Sequence, residues 1–144
     1  MKSKILKWSL LFIFLLVVSV VLGSCFWKKA KYDPESFQNA VILKEEALEL
    51  MAKAGESYYK YRKDVYGLMS AVERSYEHAR QQRKNDVIIG AWDRLRNPAE
   101  DRLGGFMEEW KKEDKLAADT INTFKEWVSK EFDAIKELEE AKKK

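Results

Sequence analysis

The sequence predicts an all-α fold, and three observations carry that prediction. Apolar residues keep a seven-residue period over two long stretches, Asp33-Pro34 and Asn97-Pro98 mark helix starts, and no stretch alternates long enough for a strand. The architecture they predict is an elongated antiparallel hairpin of two long helices, with a shorter helix near their connection. The helical body is assigned to residues 34–144.

Asp33 supplies an N-cap, Pro34 fits the first helical position, and Glu35 puts an acid in the first turn. From there the stripe runs Phe37, Val41, Lys44, Leu48, Met51, Gly55, Tyr58, Arg62, Val65, Met69, Val72, Tyr76, Ala79 and Arg83, ten of fourteen positions being apolar or aromatic. A flanking row at Ala40, Ala47, Ala54, Tyr61 and Leu68 widens the face, and its alanines allow a neighbouring helix to approach closely. A face that wide favours an intramolecular bundle over a two-stranded coiled coil. Because the stripe keeps its phase through Gly55, one long or kinked helix is expected there, rather than a break with Ser57 capping a second helix.

Lys84-Asn85-Asp86 interrupts the pattern, and Asp86 can cap a short helix carrying Ile88, Ile89, Trp92 and Leu95. Asn97-Pro98-Ala99-Glu100 repeats the start signature, and Gly104-Gly105 reads as a kink or short break. The second long stripe is Met107, Trp110, Asp114, Ala117, Ile121, Phe124, Val128, Glu131, Ile135, Leu138 and Lys142, eight of eleven apolar. Lys142, Lys143 and Lys144 complement the dipole at a helix C-terminus. A body of this length can bury a core without metal or disulfide.

The charge is unevenly placed. The chain has 144 residues, with 27 Lys+Arg and 24 Asp+Glu. Residues 1–24 hold Lys2, Lys4 and Lys7 and no acid, so the remaining 120 residues carry 24 of each sign and are neutral. After those lysines, residues 10–22 are apolar apart from Ser19. This is the charged and apolar sequence of a secretory signal, assigned to residues 1–24. Thirteen helical residues span about 20 Å, short of a hydrocarbon core of about 30 Å.

The run ends in Leu22-Gly23-Ser24-Cys25, which resembles the lipobox of bacterial lipoproteins. The resemblance implies cleavage after Ser24 and a diacylglyceryl group and N-acyl chain, palmitate among them, on Cys25, the sole cysteine. It covers residues 1–25 alone. It also implies membrane lipid as a partner through Cys25, and an envelope location facing the periplasm or the exterior. Phe26 stands where an aspartate would favour inner-membrane retention, so the outer membrane is favoured where there are two. Residues 25–33, with Phe26, Trp27, Lys28, Lys29 and Tyr32, read as a membrane-proximal tether. The alternative is an uncleaved N-terminal helix anchoring an accessory subunit of a membrane complex.

No catalytic residue is assigned. His78, the one histidine, has no partner nucleophile legible in sequence and reads as a boundary residue on a helix. Di-iron bundles need Glu-x-x-His twice, and here Ser75 precedes His78 by three, so no metal site is expected. Gly104-Gly105 lacks the Gly-Lys-Ser/Thr of a phosphate loop. Glu45-Glu46, Glu108-Glu109 and Glu139-Glu140 read as solvated faces with lysine partners. The body is therefore expected to act as a non-enzymatic binding, scaffold or spacer module, with no cofactor besides the lipid.

Tyr58 to Tyr66 holds four tyrosines among three cations. Tyr58 and Tyr61 fall on the core side, whereas Tyr59 and Tyr66 are candidates for contact with a protein or cell-wall partner. Neutral body charge and the envelope address argue against nucleic acid. The width of the apolar face leaves homodimerisation open. The layout of lipid, helical rod and terminal Lys144 resembles that of the murein lipoprotein, whose last lysine is joined to peptidoglycan, although the Tyr-Arg that precedes that lysine is absent here.

Overall fold

Asp33 starts the body as its chemistry dictates. In the structure, a computed structural model describing residues 30–144, its Oδ1 accepts the N–H groups of Glu35 (3.0 Å) and Ser36 (3.3 Å), and Pro34 takes the first helical position. The signal segment 1–24, the motif Leu22-Gly23-Ser24-Cys25 and the tether up to residue 29 lie outside the described residues.

The described chain is all-α, with five helices: α1 (Pro34–Met51), α2 (Tyr58–Gln81), α3 (Asp86–Arg96), α4 (Leu103–Glu113) and α5 (Ala118–Ala141). Each of the two long stripes is thus two helices, which replaces the expected two-helix hairpin with a bundle. The breaks fall where the stripes carry Gly55 and Asp114. Gly55 costs helix stability, and Asp114 adopts φ 63°, a left-handed conformation that Asp tolerates better than most residues. The two breaks also satisfy each other: Tyr58 N–H donates to Asp114 O (2.9 Å), and Leu116 N–H donates to Ala54 O (2.8 Å). The apolar phase survives both breaks because the helices on either side face one core.

α5 packs along α1, antiparallel to it, while α2 packs on α1 and α3, and α4 closes the side between α2, α3 and α5. The core is led by Trp92, Trp110, Phe106, Phe132 and Met51, all fully buried. Trp92 meets Phe132 edge-on at 5.9 Å, and Trp110 meets Tyr58 edge-on at 5.7 Å.

Within α1 the buried face is turned by one position from the expected stripe. Ser36, Ala40, Leu43, Ala47 and Met51 are buried, whereas Phe37, Val41 and Leu48 are only half-buried. The alanine row is the true centre because it lets α5 come close. Lys44, on the expected stripe, lies at the edge, where it donates to Asp133 Oδ2 at 2.6 Å.

The corner between α3 and α4 corrects two further expectations. Asn97 and Pro98 open a turn rather than a helix: Asn97 Oδ1 accepts Ala99 N–H at 2.9 Å, and α4 begins only at Leu103. Gly104 and Gly105 are not a kink but the first turn of α4, pressed against the backbone before it. A Cβ on Gly104 would sit 2.5 Å from Arg96 O, and one on Gly105 would sit 2.1 Å from Glu100 O. Asp86 is the first residue of α3, and Asn85 occupies the cap position.

Gly104→Ala and Gly105→Ala should each destabilise the protein by about 2 kcal/mol or more, because rigid backbone must move. Gly55→Ala, whose added methyl meets nothing, should be neutral or stabilise by up to about 1 kcal/mol; urea unfolding checks all three. The hydrogen bond from Lys44, with Lys136 adding to it, holds the Asp133 carboxyl below its ordinary value. The unfolded chain then binds that proton more readily, so this contribution is present above the ordinary carboxylate value and is lost as pH falls through the lowered one. Lys44→Met should flatten the stability-versus-pH curve in that acid window, as measured by urea unfolding at stepped pH.

Candidate interaction surface

The sites that could bear chemistry are built from the ends of helices. At the end where α1 begins and α5 finishes, Glu139 is fully buried. Its Oε2 accepts the N–H of Asp33 at 3.1 Å, and its Oε1 accepts from Lys142 Nζ at 2.9 Å. Lys142 also donates to Asn85 Oδ1 (2.7 Å), and Asn85 Nδ2 donates to Ala79 O (3.2 Å). On the other side of Asp33, its Oδ2 lies 2.6 Å from His78 Nε2, and His78 Nδ1 faces Glu35 Oε1 at 3.6 Å. One polar chain therefore ties the start of α1, the end of α2, the cap of α3 and the end of α5.

This network was only partly legible. His78 is the half-buried helix-boundary residue expected, but its Asp33 partner is 45 positions away. Glu139 is not a solvated acid. It continues the buried row Phe132 and Ile135 at helical spacing, a phase that reading Glu139-Glu140 as a pair conceals. A second buried acid, Glu131, accepts from Arg94 (2.6 and 2.9 Å) and from Arg102 (3.2 Å), joining α3 and the α4 entry to α5. Both buried carboxylates are met by internal donors. No group of three or more His, Cys, Asp or Glu among the described residues could hold a metal ion.

The opposite end is closed by Trp110 and Asp114. Trp110 Nε1 donates to Glu56 O (3.0 Å) and Asp114 O (3.2 Å), and Ser57 Oγ donates to Asp114 Oδ1 (2.7 Å). Ser57 thus binds across the turn rather than capping its own helix. Beside this end an open groove of about 430 Å³ runs between α1 and α2, with Leu50, Tyr61 and Leu68 among its lining and Glu46, Glu49, Lys53, Lys63 and Asp64 around it.

Tyr58 and Tyr61 pack against Trp110, as their phase predicts. Tyr59 and Tyr66 are exposed by 66% and 77%, the most open aromatic side chains among the described residues. They share the outer face of α2 with Arg62 and Lys63, which occupy the intervening i+3 and i+4 positions. Tyr32, read as part of the tether, instead packs against Phe37 with Lys143 over its ring at 4.3 Å. No helix among the described residues is long and apolar enough to cross a membrane. Lys144 is exposed at the chain end.

Glu139→Ala should cost about 3 kcal/mol, since it leaves Lys142 without its carboxylate and the Asp33 N–H without an acceptor. Glu140→Ala, one residue on and exposed, should stay within about 0.5 kcal/mol, and thermal and urea unfolding of the pair checks the contrast. Comparison of the chain with protein-family models, with curated proteins and with solved structures gives no match.

Proposed function

We propose that this chain is a lipid-anchored envelope protein, held through acylated Cys25, whose helical body is a non-enzymatic binding or spacer module. The observation that carries the reading is the sequence Lys2 to Cys25: three lysines, an apolar run, and Leu22-Gly23-Ser24 before the sole cysteine. The body suits the role. Seven residues lie between Cys25 and Asp33, eight steps with a contour of at most about 28 Å, so the body stays within that reach of the anchor. Its entry point at Asp33 is hydrogen-bonded to Glu139, so any pull on the tether is taken up by α5 as well as α1. The buried acids are spent on internal partners, which leaves surface contacts as the means of action, with Tyr59 and Tyr66 the exposed aromatics offered to a protein or cell-wall partner.

The alternative keeps Met1 and uses residues 5–22 as a retained anchor, making the chain an accessory subunit of a membrane complex. Intact-mass measurement of protein extracted from membranes separates the two. The expected mass is that of a chain starting at Cys25 with diacylglyceryl and N-acyl groups, and Cys25→Ala should abolish both processing and lipid labelling. A mass that retains Met1 would establish the alternative, and a processed, lipid-labelled Cys25→Ala chain would overturn the lipoprotein reading.

A further inference from the structure

The acids of α1 and the cations of α2 border one open face. The two helices run antiparallel, with His78 beside Asp33 at one end and the turn through residues 52–57 at the other. Two open hollows, of about 430 and 240 Å³, follow one another along the seam between them. Leu50 and Leu68 line the larger, and Leu43 and Ala71 line the smaller beside Ile42, which is 43% exposed. The two rims differ in sign. Glu46 and Glu49 on α1 share the larger hollow with Lys63 on α2, and Glu35 shares the smaller with Arg74. Lys53 and Asp64 add one opposite charge to each rim of the larger hollow. Glu46, Glu49, Lys63 and Arg74 form no ion pair among the described residues, so the seam stays open between them. Gly67 lies on the same seam, in the middle of α2. No positive φ requires a glycine there, and an added Cβ would meet nothing within 4 Å, although alanine would favour the helix. The fold leaves room at Gly67 that it does not itself use.

We infer that a second copy of this chain docks on the seam, about a two-fold axis parallel to the helices, so that α1 of each copy lies on α2 of the other. Charge selects both the occupant and the axis. Under that axis each residue keeps its level along the seam, so Glu46 and Glu49 meet Lys63 of the second copy and Glu35 meets its Arg74. Lys53 and Asp64 are matched in the same way, and each contact occurs twice. A two-fold axis across the helices would instead set α1 on α1 and bring acids onto acids. A partner of one charge sign would satisfy one rim and repel the other, whereas a second copy carries both signs at the matching levels. The 18 residues of α1 make the face about 27 Å long, and two helices make it about 20 Å wide. Two such faces bury about 1,000 Å², at the low end of specific interfaces, so the dimer is weak and reversible. The inference does not depend on how the N-terminus is anchored.

The test is sedimentation of the full chain over a concentration series, in nonionic detergent with micelles in excess and at physiological salt. Wild type should pass reversibly from monomer to dimer. The double variant Glu46→Lys with Glu49→Lys, and separately Lys63→Glu, should each weaken self-association about tenfold or more, because like charges then meet. Mixing these two variants should restore a dimer, since every rim again meets its opposite. Gly67→Gln placed in both members of that mixture should prevent the restoration by filling the seam, while urea unfolding finds Gly67→Gln at least as stable as wild type. All four positions are exposed, so the fold is retained, as circular dichroism checks. A wild-type chain that stays monomeric throughout overturns the proposal and leaves the seam to a different partner. Charge variants that associate as wild type does place the contact elsewhere and overturn it. Variants that remain apart when mixed overturn the pairing of α1 with α2, and a mixture that pairs despite Gly67→Gln shows general attraction between the chains and overturns the seam as the site.

Discussion

The buried carboxylate of Glu139 holds together the parts of this chain that sequence separates most. Its two oxygens receive the N–H of Asp33 and the ammonium of Lys142, and through Lys142 it reaches Asn85. A buried acid is tolerated only where its charge and lone pairs are met, so α1, α3 and α5 must arrive in one arrangement for the fold to close. Asp33 then serves three partners at once, capping α1 with Oδ1, facing His78 with Oδ2 and donating its own N–H to Glu139. The far end is joined in a similar way, with the Asp114 carboxylate accepting from Ser57 Oγ and from the Tyr58 N–H. There the two inter-helix turns bond backbone to backbone, and Trp110 donates across the seam.

The helical class and the first cap were legible because they depend on local rules. Asp33-Pro34 fixes a helix start through φ and a side-chain acceptor, and a seven-residue apolar period fixes a buried face. The breaks at Gly55 and Asp114 were not legible as breaks. Their flanking stripes stay in register, and only the pairing of one turn with the other, some sixty residues apart, makes two turns better than two continuous helices. Likewise Gly104-Gly105 signals weak helix in isolation, yet the structure uses both glycines inside a helix because neighbouring carbonyls leave no room for a Cβ. Helix α1 turned by one position for a similar reason, since close approach by α5 rewards alanine over the larger Phe37 and Leu48.

For the candidate site, the sequence separated inward from outward tyrosines correctly at Tyr58 and Tyr61, whose partner is Trp110. It missed the buried role of Glu139 and Glu131, because a charged residue at a core phase reads as a gap in the stripe until its partner is known. The equal totals of acid and base say nothing of where the charges meet: Glu46 and Glu49 of α1 and Lys63 of α2 line one groove between the two helices.

Both ends of the described chain are locked into one cooperative body, so that the chain entering at Asp33 is coupled to the whole bundle. Native-state amide hydrogen exchange of the Asp33 N–H tests this most directly, with the Leu116 N–H at the far end as its companion. The expected result is protection of both amides to within about 1 kcal/mol of global unfolding. Exchange of the Asp33 amide at the rate of a frayed terminus, with Leu116 protected, would contradict it.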